Sequence, residues 1–230
     1  MKRFFKSYGF SIFWIIAFID IGATAFNNSI LHIITKPLLL PLLVISLFFS
    51  VSPGNKKALV LTGLFFAFMG DVALLFEDRN PLFFITGLVC FLLTHLFYIL
   101  FFLTIKSAAP SLLKKKPALI ILVVAYTGGL LFLLVPKLGS LVVPVILYAV
   151  ILSLMFLFSL HVYHKVNSQA GKLFIWGAAL FVVSDSLLAI NKFYSPLAYA
   201  GFFIMLTYCL AQYLIVKGFI KMDAYVTVSI

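Results

Sequence analysis

Charge is scarce in this chain. Charged residues make up 10% of its 230 residues, and only six residues are acidic, where a soluble domain is about a quarter charged. With 64% of the residues hydrophobic, a water-soluble fold is excluded, because too little polar surface exists to face water. Cysteine is scarce too. Cys90 and Cys209 both fall inside apolar runs, which removes a disulfide framework and leaves each thiol as a small hydrophobe. A glycine-rich phosphate loop, a GxSxG elbow and an HExxH zinc motif are all missing, so nucleotide, serine and zinc mechanisms lack support. No metal or other cofactor is expected.

What the chain has in quantity is long apolar runs. A hydrocarbon core of about 30 Å needs roughly 20 apolar residues per helical span. Runs bounded by charge, proline or glycine predict helices near 8–26, 37–52, 58–76, 82–105, 117–135, 139–161, 172–190 and 196–217. The expected fold is an all-α polytopic membrane bundle of about eight transmembrane helices, forming a single integral membrane domain over 1–230. The second run is the shortest and carries Pro37 and Pro41 in its first turns, where a missing amide donor costs little. A tilted or partly re-entrant helix is open to it.

The net charge of +11 lies between the spans. Counted on alternate sides, thirteen basic residues fall on one side, Lys2, Arg3, Lys6, Lys56 and Lys57 among them, against Lys36, Arg79, Lys137 and Lys192 on the other. Such a bias reports orientation; it puts both termini in the cytoplasm and argues against a nucleic-acid partner. The start, with basic residues, an apolar stretch and Ala23-Thr24-Ala25, also resembles a secretory signal, but Asp20 would interrupt its apolar region. Short loops and lysine-rich inner edges fit a bacterial inner (plasma) membrane. No coiled-coil or dimer signature stands out, which leaves the oligomeric state open.

Asp20, Asp71 and Asp185 fall within predicted spans, where an ionisable group is costly and marks a functional site by default. They lie 14, 14 and 13 residues from the cytoplasmic lysines Lys6, Lys57 and Lys172, which predicts a similar depth for all three. Two carboxylates sharing a low-dielectric site do not readily both ionise, so a pair can supply a general acid and a general base. Depth alone does not say which two of the three would form such a pair.

Lys192 follows Asp185 by seven residues, on the same helical face and nearer the outer surface, next to Asn191; Lys36 also sits at an outer helix end. These cations suit a phosphate above the acidic level, although interfacial lysines snorkel as a matter of course. His95, Tyr98, Tyr208 and Gln212 are further polar groups in spans and substrate-binding candidates; His95, deeper than the aspartates, either lines the cavity or is a satisfied structural histidine. His161 and His164 have metal-like spacing but no neighbouring carboxylate or cysteine, and are read as interfacial.

Three alternatives remain. Each aspartate could simply hydrogen-bond a neighbouring helix. A proton-coupled small-molecule transporter uses buried carboxylates as relays. An intramembrane aspartyl protease also uses two aspartates, but position 68 is Phe, so no GxGD is formed, and the last helix has no Pro-Ala-Leu segment.

At Lys36-Pro37-Leu38, Gly70-Asp71-Val72-Ala73-Leu74-Leu75, His95-Leu96-Phe97-Tyr98, Ser184-Asp185-Ser186-Leu187-Leu188-Ala189 and Tyr208-Cys209-Leu210-Ala211-Gln212, the chain resembles the YhhN-like lysoplasmalogenase family. The resemblance spans most of the protein and implies Asp71 and Asp185 as the catalytic pair; Asp20 is outside it and is a weaker, substrate-binding candidate. The resemblance also implies an eight-helix membrane hydrolase that cleaves the vinyl ether bond of lysoplasmalogen, a lysophospholipid drawn from among the membrane lipids. The products implied are a fatty aldehyde and glycerophospho-ethanolamine or glycerophosphocholine. Protonating the outer alkene carbon and adding water needs an acid and a base, the roles given to Asp71 and Asp185. Lys36 and Lys192 would hold the phosphate, nearer to it than to the acid.

Overall fold

The computed structural model describes residues 2–228, with side chains for all of these except 2–4, 6, 7 and 225–228. Lys2, Arg3 and Lys6 of the expected inner surface lie outside the described side chains. Eight helices are long and apolar enough to cross a membrane, and no strand occurs among the described residues. The protein is thus an all-helical, multi-pass integral membrane protein. Its contacts divide into two compact units, Met1–Phe101 and Phe102–Ile230.

The first unit holds α1 (Lys2–Ala25), α2 (Ser29–Ser50), α3 (Asn55–Leu74) and all but the last turn of α4 (Pro81–Leu103). The α1–α2 hairpin turns on Asn27, which has φ of 54°, a left-handed conformation that asparagine tolerates better than most residues. The Asn28 amide donates to the Ala23 carbonyl at 2.8 Å, and the Asn28 side chain accepts from the Leu31 amide at 3.1 Å, capping α2. Because of this cap, α2 starts at Ser29, eight residues before the predicted Pro37. Pro37 and Pro41 therefore lie inside the helix, each depriving a carbonyl four residues earlier of its donor. At 22 residues α2 is long enough to span.

At the other end of α2, Lys57 folds back onto it. Its ammonium donates to the Phe48 carbonyl at 2.7 Å and the Val51 carbonyl at 2.6 Å and lies over the Phe48 ring. A cation at the negative end of a helix satisfies carbonyls that no amide reaches. Glycines bring α3 and α4 together: the Tyr98 ring fills the space at Gly63, and Phe91 that at Gly70.

The second unit contains α5 (Leu112–Lys115), α6 (Ala118–Leu134), α7 (Val142–Val162), α8 (Ser168–Ala189) and α9 (Ala200–Val228). Asn167 begins α8, its side-chain oxygen accepting from the Ala170 amide at 2.8 Å and its amide donating to the Lys221 carbonyl of α9 at 3.0 Å. Helix α8 lies close along α9 because Gly177 faces Ala211 and Ile215, while Gly218 faces the Phe174 ring. Helix α8 then passes into a π-helical turn, Ile190–Tyr194, which carries Asn191 and Lys192.

A methyl group at Gly177 would come within 2.8 Å of Ile215 Cγ1 and 3.1 Å of the Ala211 carbonyl oxygen. Backbone cannot give way as a flexible side chain does. Gly177→Ala is expected to cost about 1–3 kcal/mol by prying α8 from α9, read as a lowered melting temperature in detergent.

Candidate active site

Two buried polar clusters stand out in the first unit, and both are organised by α2. Asp71 of α3 is 2% exposed, and Lys36 of α2 reaches it with Nζ 3.8 Å from Oδ1. That separation is long for a hydrogen bond and ordinary for a Coulombic pair. One residue earlier on α2, the Thr35 hydroxyl is 2.6 Å from Asp20 Oδ1 of α1, and His32 Nδ1 is 2.9 Å from the same oxygen. Asp20 and Asp71 thus meet adjacent residues, Thr35 and Lys36, of one helix. His95 and Tyr98 of α4 are fully buried, and the neighbouring Thr94 hydroxyl donates to the Gly63 carbonyl at 3.2 Å.

In the second unit, Asp185 of α8 accepts from the Tyr148 hydroxyl of α7 at 2.5 Å. The next residue, Ser186, accepts from the Tyr126 hydroxyl of α6 at 2.8 Å. Tyr208 and Gln212 are buried one turn apart on α9, with the Gln212 amide 3.3 Å from the Tyr208 hydroxyl. Asn191, in the π-helical turn, accepts from the Leu197 amide at 2.9 Å, which ties that turn to the chain entering α9; Lys192 beside it is exposed. An apolar cleft of about 480 Å³ runs between α6, α7 and α8, lined by Leu122, Tyr126, Thr127, Ser153 and Phe156 among others.

His161 Nε2 contacts the Lys165 ammonium at 2.8 Å, and His164 packs its ring edge-on to Tyr163. Among the described residues no group of three or more His, Cys, Asp or Glu could hold a metal ion.

His32, Thr35 and Tyr148 are polar partners that the sequence reading passes over. Asp20 and His32 are each six residues from Phe26, so an antiparallel hairpin turning there sets them opposite one another. That symmetry was a usable signal. Tyr148 had none, being a tyrosine in an otherwise apolar run.

The YhhN family model matches residues 31–219 of this chain, and the chain belongs to the YhhN family. It is 33% identical to human lysoplasmalogenase TMEM86B over 179 residues, covering 76% of this chain and 70% of that protein. It is 32% identical to human lysoplasmalogenase TMEM86A over 165 residues, covering 68% of this chain and 62% of that one, so it spans about three fifths of the latter's length. Mouse lysoplasmalogenase TMEM86B is 32% identical over 79% of this chain and 73% of its own. No solved structure matches. The matched segment takes in Lys36, Asp71, His95, Asp185 and Gln212 and begins after Asp20.

Removing the amine of Lys36 strips the buried Asp71 carboxylate of its cation. Lys36→Met is expected to lose about 3 kcal/mol of stability, with part of the loss recovered in the Lys36→Met/Asp71→Asn double variant. Thermal unfolding of the four proteins in one detergent measures this coupling.

Proposed function

We propose that this protein is a lysoplasmalogenase, hydrolysing the vinyl ether bond of lysoplasmalogen to a fatty aldehyde and a glycerophospho-ethanolamine or glycerophosphocholine. The observation that carries the reading is the buried carboxylate chemistry of Asp71 and Asp185 within a segment that matches relatives named lysoplasmalogenase. A polytopic setting suits a substrate that resides in the bilayer. The apolar cleft of the second unit suits its hydrocarbon chain.

The reaction starts with transfer of a proton to the outer alkene carbon, which moves the double-bond electrons and leaves an oxocarbenium ion. Water adds to the cationic carbon and gives up a proton to a base. The resulting hemiacetal collapses, its hydroxyl losing a proton while the glycerol oxygen leaves as an alcohol. One carboxyl must donate and one must accept. Asp71, paired with the Lys36 cation, takes the ionised role: it steadies the oxocarbenium ion and orients water. Asp185, with the Tyr148 hydroxyl on one oxygen, takes the role of proton donor.

The lysine-rich edges support an orientation with both termini cytoplasmic, and the short loops suit a bacterial plasma membrane.

Aldehyde release from a synthetic lysoplasmalogen by purified protein in detergent tests the reading. Wild type is expected to release aldehyde, and Asp71→Asn and Asp185→Asn to be slowed at least about a hundredfold while remaining folded. Near-normal release by either variant would remove that aspartate from the chemistry. No release by folded wild type would remove the activity itself.

A further inference from the structure

Of the three intramembrane aspartates, Asp20 alone has no part in the reaction above, and it lies ahead of the family-matched segment. Its side chain is fully buried. Both of its hydrogen-bonding contacts, His32 Nδ1 and Thr35 Oγ1, fall on Oδ1, while Oδ2 has no hydrogen-bond partner among the described residues. A carboxylate kept at such cost, gripping a histidine, calls for a reason.

The reason lies on the face of α2. His32 and Lys36 are one turn apart and so adjacent on one side of the helix, with the lysine side chain leaning back towards His32 as helical side chains do. His32 is 22% exposed, against 0% for Asp20. Because the contact to Asp20 uses Nδ1, the ring nitrogen left to meet a ligand is Nε2. Lys36 has three N–H donors, of which Asp71 faces only part. With His32 as an imidazolium, the charged groups of this cluster, Asp20, His32, Lys36 and Asp71, sum to zero, the arrangement a low-dielectric interior tolerates best.

We propose that His32, as an imidazolium held by Asp20, joins Lys36 in a two-cation grip for the phosphate of the lysophospholipid. This deepens the lysoplasmalogenase reading and rests on it for the identity of the ligand. His32 binds the phosphate oxygens through Nε2–H. Asp20 is a positioning residue: it fixes the ring's orientation and supplies the counter-charge, so that the emptied grip is not a buried excess of positive charge. The shared chemistry is a phosphate oxyanion, which a lipid head group or free phosphate could supply; the hydrocarbon setting selects the lipid.

The test is equilibrium binding in detergent of a saturated alkyl-ether lysophosphatidylcholine, which has no vinyl bond to cleave, set against the phosphate-free alkylglycerol of the same chain. Wild type is expected to prefer the phosphate-bearing ligand by about tenfold or more. His32→Gln and Asp20→Asn are expected to lose most of that preference, and His32→Lys to keep it. Unchanged alkylglycerol binding shows that each variant is folded. In turnover, His32→Gln raises KM for lysoplasmalogen and leaves kcat within a few fold. A wild-type preference retained in His32→Gln, or lost equally in His32→Lys, overturns the grip, as does a fall in kcat at constant KM, which would make His32 a proton-transfer group. Inorganic phosphate binding as tightly as the lysolipid overturns the head-group assignment. Should wild type show the His32-dependent preference without releasing aldehyde from lysoplasmalogen, the hydrolase reading falls and the grip stands.

Discussion

A charge in hydrocarbon must find its opposite. That requirement shapes the polar clusters around the intramembrane aspartates, because water cannot repay the desolvation of a group held at membrane depth. The Asp71–Lys36 pair at 3.8 Å meets it with two full charges, the Asp185–Tyr148 contact at 2.5 Å with a hydroxyl, and the Asp20 cluster with His32 and Thr35. Helix α2 is where the constraint concentrates. Within five consecutive residues, 32–36, it supplies partners to aspartates on both neighbouring helices.

The backbone is arranged around the same need. Asn27 and Asn28 start α2 early enough that His32 and Thr35 are helical and face α1. Lys57 closes the far end of α2 by taking up carbonyls left over from its last turn. Glycines then let the remaining helices close up: Gly63 and Gly70 between α3 and α4, Gly177 and Gly218 between α8 and α9. In lipid there is no hydrophobic force to press helices together, so close packing of small residues and interhelical hydrogen bonds must supply the association. The two carboxyls proposed as acid and base inherit their environment from this packing, each with a fixed polar partner.

The span count was legible because a run of apolar residues bounded by charge has few other uses, and all eight appear as helices. The start of α2 was not. Residues 29–36 include Ser29, His32, Thr35 and Lys36 and read as a polar stretch before Pro37, yet in the folded chain His32 and Thr35 meet Asp20 of α1 and Lys36 meets Asp71 of α3. The same physics explains the site. Asp20, Asp71 and Asp185 announced themselves through the cost of their charges, whereas Thr35 and Tyr148 are cheap to bury and gave no such signal. Lys192 was reached from the 3.6-residue period of a regular helix, and the π-helical turn at Ile190–Tyr194 is a local change of period that no residue type there announces.

The most direct test of the central claim follows the proton rather than the rate. Hydrolysis of lysoplasmalogen by the wild-type protein in D₂O, with the aldehyde trapped as it forms and examined by mass spectrometry, reports where the solvent proton goes. Proton delivery to the outer alkene carbon predicts one deuterium on the carbon next to the aldehyde carbonyl. Aldehyde released without that deuterium would contradict acid-catalysed vinyl ether hydrolysis and the roles given to Asp71 and Asp185.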